Sequence, residues 1–432
     1  MSARTISIEM NEINFEFVET YIEKGHLPNF ARLLRENRLV RTRSERVFTD
    51  IEPWIQWPTY YTGKTLEEHG IYRLGDSTGA DIPQIWEKLE KAGRSVGAIS
   101  PMNAANRCDA PRFFVPDPWT VTPVSGGPEV ARLYEVIRKA VNNNAHDSGL
   151  DRADLLVLLR SLARSARIRN YPGYLRLLAM SRKYKWAKAL FLDQFLSDLF
   201  LSLWNSEAPD YASLFLNAGA HIQHHHMYES AVYEGRNRNP VWYSASAGDG
   251  VDPLLVAYTV YDRILGDFLR LDGVRLMVTT GLSQVPNQVM KYQYRFKNHA
   301  QTLGRVGLRG FTIIPRMSRD FLLEFADAGA AAAAQEVLLG LQVDGEAFIE
   351  VDNRGASLFC KICYFGEPEK LTRVTHEGRS FDMSDEVALV SIENGIHRTI
   401  GFHVDTGDSA GAQDEVPLAA LHDKILGIYA AS

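Results

Sequence analysis

The sequence predicts an α/β fold: a mainly parallel sheet with helices on both faces, plus a helical insertion. Three observations predict it. In the first hundred residues, short apolar runs alternate with segments of helical period, as in parallel βαβ units. Two later apolar runs, residues 211–216 and 274–280, bracket a stretch with Leu254, Leu255, Tyr258, Tyr261 and Leu265 at helical spacing. From about residue 125 to 206 the rhythm stops, and a long, mostly helical segment takes its place.

Taken in order, residues 5–10 alternate as a short first strand. Residues 15–36 follow with helical period, interrupted at Leu27-Pro28-Asn29, so two helices or a helix and a turn are expected. Residues 39–48 read as a second strand, 81–92 as a helix ended by Gly93, and 95–100 as a third strand. The Ala-rich residues 329–334 read as a helix start. The expected division is a core of residues 1–124 and 207–432 with a helical, basic cap at 125–206. From Leu155 to Leu192 the cap carries nine Lys/Arg and no Asp/Glu, with Tyr171, Tyr174, Tyr184 and Trp186 interleaved. Such a cap would attract an anionic small-molecule substrate, with Arg182 and Lys183 among its binding residues, or rest on an anionic membrane. The alternative is a solvated helical face paired with acids elsewhere.

With 432 residues, 45% hydrophobic and 23% charged, the composition is that of an ordinary soluble protein. A net charge of −6 argues against a general nucleic-acid binder. The N-terminus lacks the pattern of a signal peptide, and no run of about 18 apolar residues suggests a membrane span, so a cytoplasmic protein is expected. Three cysteines make no disulfide framework. Cys360 and Cys363 have a metal-knuckle spacing but lack a second pair and fall in an expected strand, residues 356–364. There i and i+3 face opposite sides, so a structural role is expected.

The chemistry concentrates in Asn217-Ala218-Gly219-Ala220-His221-Ile222-Gln223-His224-His225-His226, directly after the apolar run Leu214-Phe215-Leu216. Imidazole is the commonest metal ligand and general acid/base near neutral pH. If a helix starts near Gly219, His221, His224 and His225 share one face and at least two could bind one ion. The bland alternative is a polar turn with packed histidines. Asp50 and Glu52, at i and i+2, are candidate bases. His403 and Asp405 are expected to face the same side of a strand. Trp54, Trp57, Tyr60 and Tyr61 would line a pocket or, more simply, pack in the core.

Four further features occur in a telling order: residues 25–33 (GHLPNFARL); Thr62-Gly63-Lys64 followed by Glu68-His69-Gly70-Ile71; Gln223-His224; and Gly395-Ile396-His397-Arg398 with Gly401. Together they resemble the alkaline phosphatase superfamily, in particular its type I phosphodiesterase/nucleotide pyrophosphatase branch. The resemblance implies a three-layer α/β/α core. It also implies a site for two divalent ions, usually zinc, that polarise phosphoryl oxygens and ionise a Thr, Ser or modified Cys nucleophile.

The sequence departs from that pattern where the chemistry resides. Counting back from Thr62-Gly63 puts Pro53 at the nucleophile position, although Trp54, Trp57 and Thr59 fit the related "T-W-P-x-W-x-S" pattern. Gln56 falls where nucleotide pyrophosphatases carry an amide that helps hold the phosphoryl oxygen. The first-strand aspartate has no identical counterpart: Glu9, Asn11 or Glu12 must stand in, with Asn11 taken as a ligand and Glu9 as a base. The family's Asp-His pair falls on Thr280-Gly281, and its aspartate four before His224 is Ala220. His224 and His397 remain, with His221 as a third imidazole. His69 is expected to support its loop.

The expected function is a divergent metal-dependent hydrolase or group-transfer enzyme acting on a phosphate-type ester. One ion, zinc ahead of iron or manganese, would serve rather than two. Water would attack directly, with Glu52 or Glu9 as base and Gln56 as oxygen-stabilising donor; Trp54 and Trp57 would contact substrate. The alternatives are a catalytically inactive ligand-binding or scaffold protein, and a single-metal site turned to non-phosphoryl chemistry.

Overall fold

The computed structural model describes residues 4–45, 52–142, 150–315, 319–408 and 414–430. The chain forms two compact units: residues 1–234, 240–286 and 395–432 make the first, and residues 235–239 with 287–394 make the second.

The first unit is built on an eight-stranded sheet. Its strands are β1 (Arg4–Met10), β2 (Leu39–Arg43), β3 (Val96–Ile99), β4 (Phe113–Val115), β5 (Tyr211–Leu216), β6 (Val274–Thr279), Ile400–Asp405 and Glu415–Pro417. Across the sheet they lie in the order Glu415–Pro417, β2, Ile400–Asp405, β6, β1, β5, β3, β4. The last five are parallel, β2 is parallel to Glu415–Pro417, and Ile400–Asp405 runs antiparallel to both neighbours. The second strand is shorter than expected, ending at Arg43, and residues 46–48 lie outside the described residues.

The helices of this unit are α1 (Phe15–Glu23), α2 (Pro28–Glu36), α3 (Pro53–Thr62), α4 (Leu66–His69), α5 (Ile85–Lys91), α6 (Pro128–Asn142), α7 (Arg152–Ser165), α8 (Tyr171–Met180), α9 (Ala187–Glu207), α10 (Ala218–His226), α11 (Ala245–Asp249), α12 (Pro253–Phe268) and Ala420–Ala430. The interruption at Leu27-Pro28 is a real boundary: Pro28 opens α2, where its missing N–H costs nothing. Because side chains alternate along a strand, each strand feeds two cores. Ile6, Ile8 and Leu214 join Phe15, Phe30, Phe200 and Leu254 on one face. On the other, Tyr211 and Phe215 join Trp57, Trp86 and Leu421. Helices therefore cover both faces, in three layers.

Residues 125–206 fall within this unit. α9 sinks into the first core through Leu190, Phe195, Phe200 and Trp204 before the chain enters β5. Residues 287–394, expected to belong to the core, instead form the second unit. There Ile349–Asn353, Ser357–Ile362, Asp320–Phe325 and Phe311–Pro315 make an antiparallel sheet. With helix Ala328–Leu339 they bury a core of their own, including Phe321, Leu338, Leu358 and Cys360. Antiparallel hairpins close such a core locally, without the βα crossovers that reveal the first unit in sequence. Cys360 is buried, Cys363 half-buried, and both are free. No helix among the described residues is long and apolar enough to cross a membrane.

Candidate metal centre

Helix α10 carries the histidine run, and a buried carboxylate anchors its start. Asp193 on α9 accepts the Ala218 N–H at 2.8 Å and the Tyr261 hydroxyl at 2.7 Å, while burial pushes its pKa up to about 7. Two turns on, His224 places Nδ1 3.1 Å from the Gly395 carbonyl oxygen. A ring that donates from Nδ1 keeps its lone pair on Nε2. The strand Gly395–Arg398 pairs antiparallel with β7 (Ser283–Pro286) and brings in His397 from the far end of the chain.

Glu12 completes the group. Its Oε2 lies 2.9 Å from His397 Nε2 and 3.1 Å from His224 Nε2, and the two imidazole nitrogens are 3.1 Å apart. Among the described residues this is the one cluster of His, Cys, Asp or Glu with the spacing of a metal site. Glu12 sits just past β1 with φ +60, a left-handed conformation rare for a residue with a side chain. The turn is held from several directions. Glu12 N–H donates to Thr280 O at 3.0 Å, and its carbonyl accepts Gln223 Nε2 at 2.8 Å. Asn11 Nδ2 donates to Oε1 at 2.8 Å, and Gln284 Nε2 donates to Oε2. Burial alone would raise the Glu12 pKa, but His397 and His224 hold the carboxyl well below the usual carboxylate range.

The donor set fits a divalent ion. Ligands on a tetrahedral zinc lie about 3.3 Å apart. The three observed separations, 2.9, 3.1 and 3.1 Å, need to open by only a few tenths of an ångström.

Of the residues singled out from sequence, the structure brings His224 and His397 together. It selects Glu12 among the three first-strand candidates. Asn11 is a brace: its Oδ1 accepts Trp57 Nε1 at 2.7 Å, and its Nδ2 serves Glu12 and Asn217. His221 is exposed, its ring 4.6 Å from that of His225 and outside the trio. Glu9 is fully buried and accepts the Tyr61 hydroxyl at 2.6 Å. Both ends of the Gln56 amide bind the backbone of Glu45, at 3.0 and 3.2 Å, so a donor role toward substrate requires release of that bond. Glu52 is half-buried at the start of α3, and Asp50 lies outside the described residues. Arg182 and Lys183 are exposed between α8 and α9, where Lys183 pairs with Asp249. Trp54 is partly buried; Trp57, Tyr60 and Tyr61 are core residues. His69 supports its loop, as expected, accepting the Ile71 N–H at 3.0 Å and meeting Thr59 Oγ1 at 3.1 Å. His403 and Asp405 share a face, both reached by Lys424. Gln284 and Asp193 went unnoticed in the sequence; neither lies in a motif, and only the packing of β7 and α9 gives them their roles.

Trp57 also occupies a telling place. A Cβ added to Gly281 would meet its indole at 3.1 Å, and Gly281 has φ +70. Gly281→Ala is therefore expected to destabilise the fold by about 1–2 kcal/mol, read by denaturant unfolding. An unchanged midpoint would mean that the indole and turn relax freely.

The sequence of residues 17–272, more than half of the chain, matches the family model described as type I phosphodiesterase / nucleotide pyrophosphatase. The chain belongs to that family. Within this family member the matched region contains α1 from residue 17 onward, the Trp57 helix and His224, while His397 lies beyond it. No curated protein matches the sequence. Among solved structures, phosphonoacetate hydrolase from Sinorhizobium meliloti 1021 in complex with phosphonoformate is similar at 13% identity, covering 99% of this chain and 96% of its own, with a TM-score of 0.45. Murine ectonucleotide pyrophosphatase / phosphodiesterase 5 is 11% identical, with 99% and 95% covered and a TM-score of 0.48. Wild-type alkaline phosphatase PafA is 11% identical, with 100% and 96% covered and a TM-score of 0.47.

Proposed function

We propose that this type I phosphodiesterase family member is a phosphoester hydrolase that works with one divalent ion, zinc by preference, held by Glu12, His224 and His397. The observation that carries the proposal is the convergence of one carboxylate and two imidazoles within 3.1 Å of one another. One anionic and two neutral nitrogen ligands suit zinc and leave a fourth position open. When bound, such an ion supplies Lewis acidity toward a phosphoryl oxygen and eases ionisation of water.

The chain's own residues do the rest. Gln284 and Asn11 aim the two Glu12 oxygens, and the Gly395 carbonyl sets the His224 tautomer. Pro53, at the expected nucleophile position, opens α3 and has no group to attack with. Thr59 is buried, its hydroxyl engaged by Ile55 O and His69. Direct attack by water, with no covalent intermediate, follows; Glu52 remains the candidate base. Support for one ion rather than two comes from Trp57, whose indole fills the space against Gly281 where a ligand side chain would project.

A second reading has its own observation. The three side chains already lie within hydrogen-bond distance of one another, so the trio satisfies itself without a metal. A catalytically inactive binding or scaffold protein would keep such a cluster. Elemental analysis of the purified, untagged protein decides. About one equivalent of zinc, iron or manganese per chain, with chelator-sensitive cleavage of a phosphodiester and no trapped phosphoenzyme, is the expected result. Two equivalents would sink the one-ion arrangement. No metal, even after incubation with divalent ions, would leave the binding-protein reading.

A further inference from the structure

Away from the metal centre, α8 opens onto a cleft of about 220 Å³ lined by Arg169, Asn170, Gly173, Arg176, Gln194 and Arg263. Three features give it the character of an anion site. Three of its lining side chains, Arg169, Arg176 and Arg263, are guanidinium groups. Gln194, on α9, is 3% exposed, and its amide nitrogen has no hydrogen-bond partner among the described residues. A buried donor of this kind is costly unless something accepts from it. Arg263 rests against the first turn of α8: a Cβ built on Gly173 would lie 3.2 Å from its Nη1. Arg176 and Arg263 make no ion pair among the described residues. The neighbouring acids are already engaged: Asp267 by Arg167, Arg169 and Arg270, and Asp198 by Asn170, Tyr174 and the Arg167 N–H.

The surface around the cleft is apolar where surfaces are usually polar. Ile168, Leu175 and Leu178 are 81, 68 and 55% exposed. Tyr171, Leu175 and Leu178 follow at i, i+4 and i+7, one stripe along α8, while Tyr174 and Leu177 on its other side are buried. α7 repeats the pattern, exposing Leu155, Leu156 and Leu159. Interleaved are Arg160, Arg182, Lys185 and Lys188, which also lack ion pairs among the described residues. A basic, apolar face on a chain of net charge −6 is a local feature, not a reflection of composition.

We propose that the α8 face docks on an anionic phospholipid surface, with a lipid phosphate in the Arg176–Arg263–Gln194 cleft and Ile168, Leu175 and Leu178 entering the headgroup region. Charge and apolarity together select this occupant. A second copy of the face would bring like charges together, and a nucleic acid would leave the leucines without an apolar partner. The inference does not rest on the metal centre.

The test is flotation of the full chain with phosphatidylcholine vesicles, with and without about 30% phosphatidylglycerol, at low and high salt. Binding to the anionic vesicles is expected to be at least about tenfold tighter and to weaken at high salt. R176Q/R263Q is expected to lose about tenfold or more, and L175S/L178S to lose binding as well, both with unchanged metal content. All four positions are exposed, and the salt response of the unaltered protein is a readout that needs no variant. Equal affinity for neutral vesicles, or undiminished binding by R176Q/R263Q, would overturn the proposal. So would saturable binding of inorganic phosphate without vesicle binding, which would make the ligand a free anion. A dimer that L175S/L178S converts to monomer, without vesicle binding, would make the occupant a second copy.

Discussion

Glu12→Gln is expected to lower affinity for the divalent ion by about a hundredfold or more, and hydrolytic activity with it. The carboxylate is the one anionic donor of the trio, and an amide oxygen is a weaker ligand. The surroundings worsen the exchange. Gln284 Nε2 and Asn11 Nδ2 both donate to Glu12, so the amide NH2 of the variant must face one donor or the other. Even losing an outer-shell partner typically costs 10–100-fold in affinity. His397→Ala should behave similarly, because the same ion loses a neutral ligand. Metal affinity by competition with a chromophoric chelator measures both, with circular dichroism to show that the fold persists. Full stoichiometry and unchanged affinity in E12Q would move the centre elsewhere, and with it the function proposed here.

Glu9→Gln is expected to stabilise the protein, and to do so only above mildly acidic pH. Glu9 is completely buried, and burial raises its pKa from 4.5 to about 8, partly offset by the Tyr61 hydroxyl bonded to it. Its second oxygen has no partner among the described residues, and Tyr60 and Tyr211 stand nearby without compensating charge. The folded pKa lies above the unfolded one, so between about 4.5 and 8 the native state holds a proton that the unfolded chain releases. Stability from this group is therefore intact below pH 4.5, falls as pH rises through that window, and levels off above 8. The full separation corresponds to about 4–5 kcal/mol as an upper bound, and relaxation of the site should reduce it to about 2–4. Glutamine has the shape of the neutral acid and does not titrate. E9Q should match the unaltered protein near pH 4.5 and exceed it by that margin at pH 8.5. Acid-side losses, such as charging of the buried His403, are common to both proteins and cancel. Denaturant unfolding across pH measures the difference; a stability gap that does not change with pH would refute a buried, protonated Glu9.

Much of this molecule is legible in its residue order. The parallel strands announce themselves as apolar runs because both faces are covered, as in β5, where every residue is buried. The histidine run falls on helix α10, and its spacing puts His224 beside His397 and Glu12. The motifs around Thr62, His69, Gln223 and His397 suffice to indicate the family, which the match over residues 17–272 bears out. The second unit was not legible in the same way. Its antiparallel strands alternate buried and half-buried residues, as in Ser357–Ile362, and such a pattern does not say which neighbours complete the core.

What the residue order left open is which carboxylate meets the histidines. Glu9, Asn11 and Glu12 are equivalent candidates at the end of one strand, yet they have three different fates. Glu9 is buried beside Tyr61, Asn11 is bound by Trp57, and Glu12, itself in the left-handed conformation, meets His224 and His397. Its partner His397 lies 385 residues away in sequence, so no local propensity could have paired them. The residue types and their periodicity determine the strands, the histidine helix and the family. The packing of distant segments decides which carboxylate meets the histidines, because side-chain direction at a strand end depends on what the turn is bonded to.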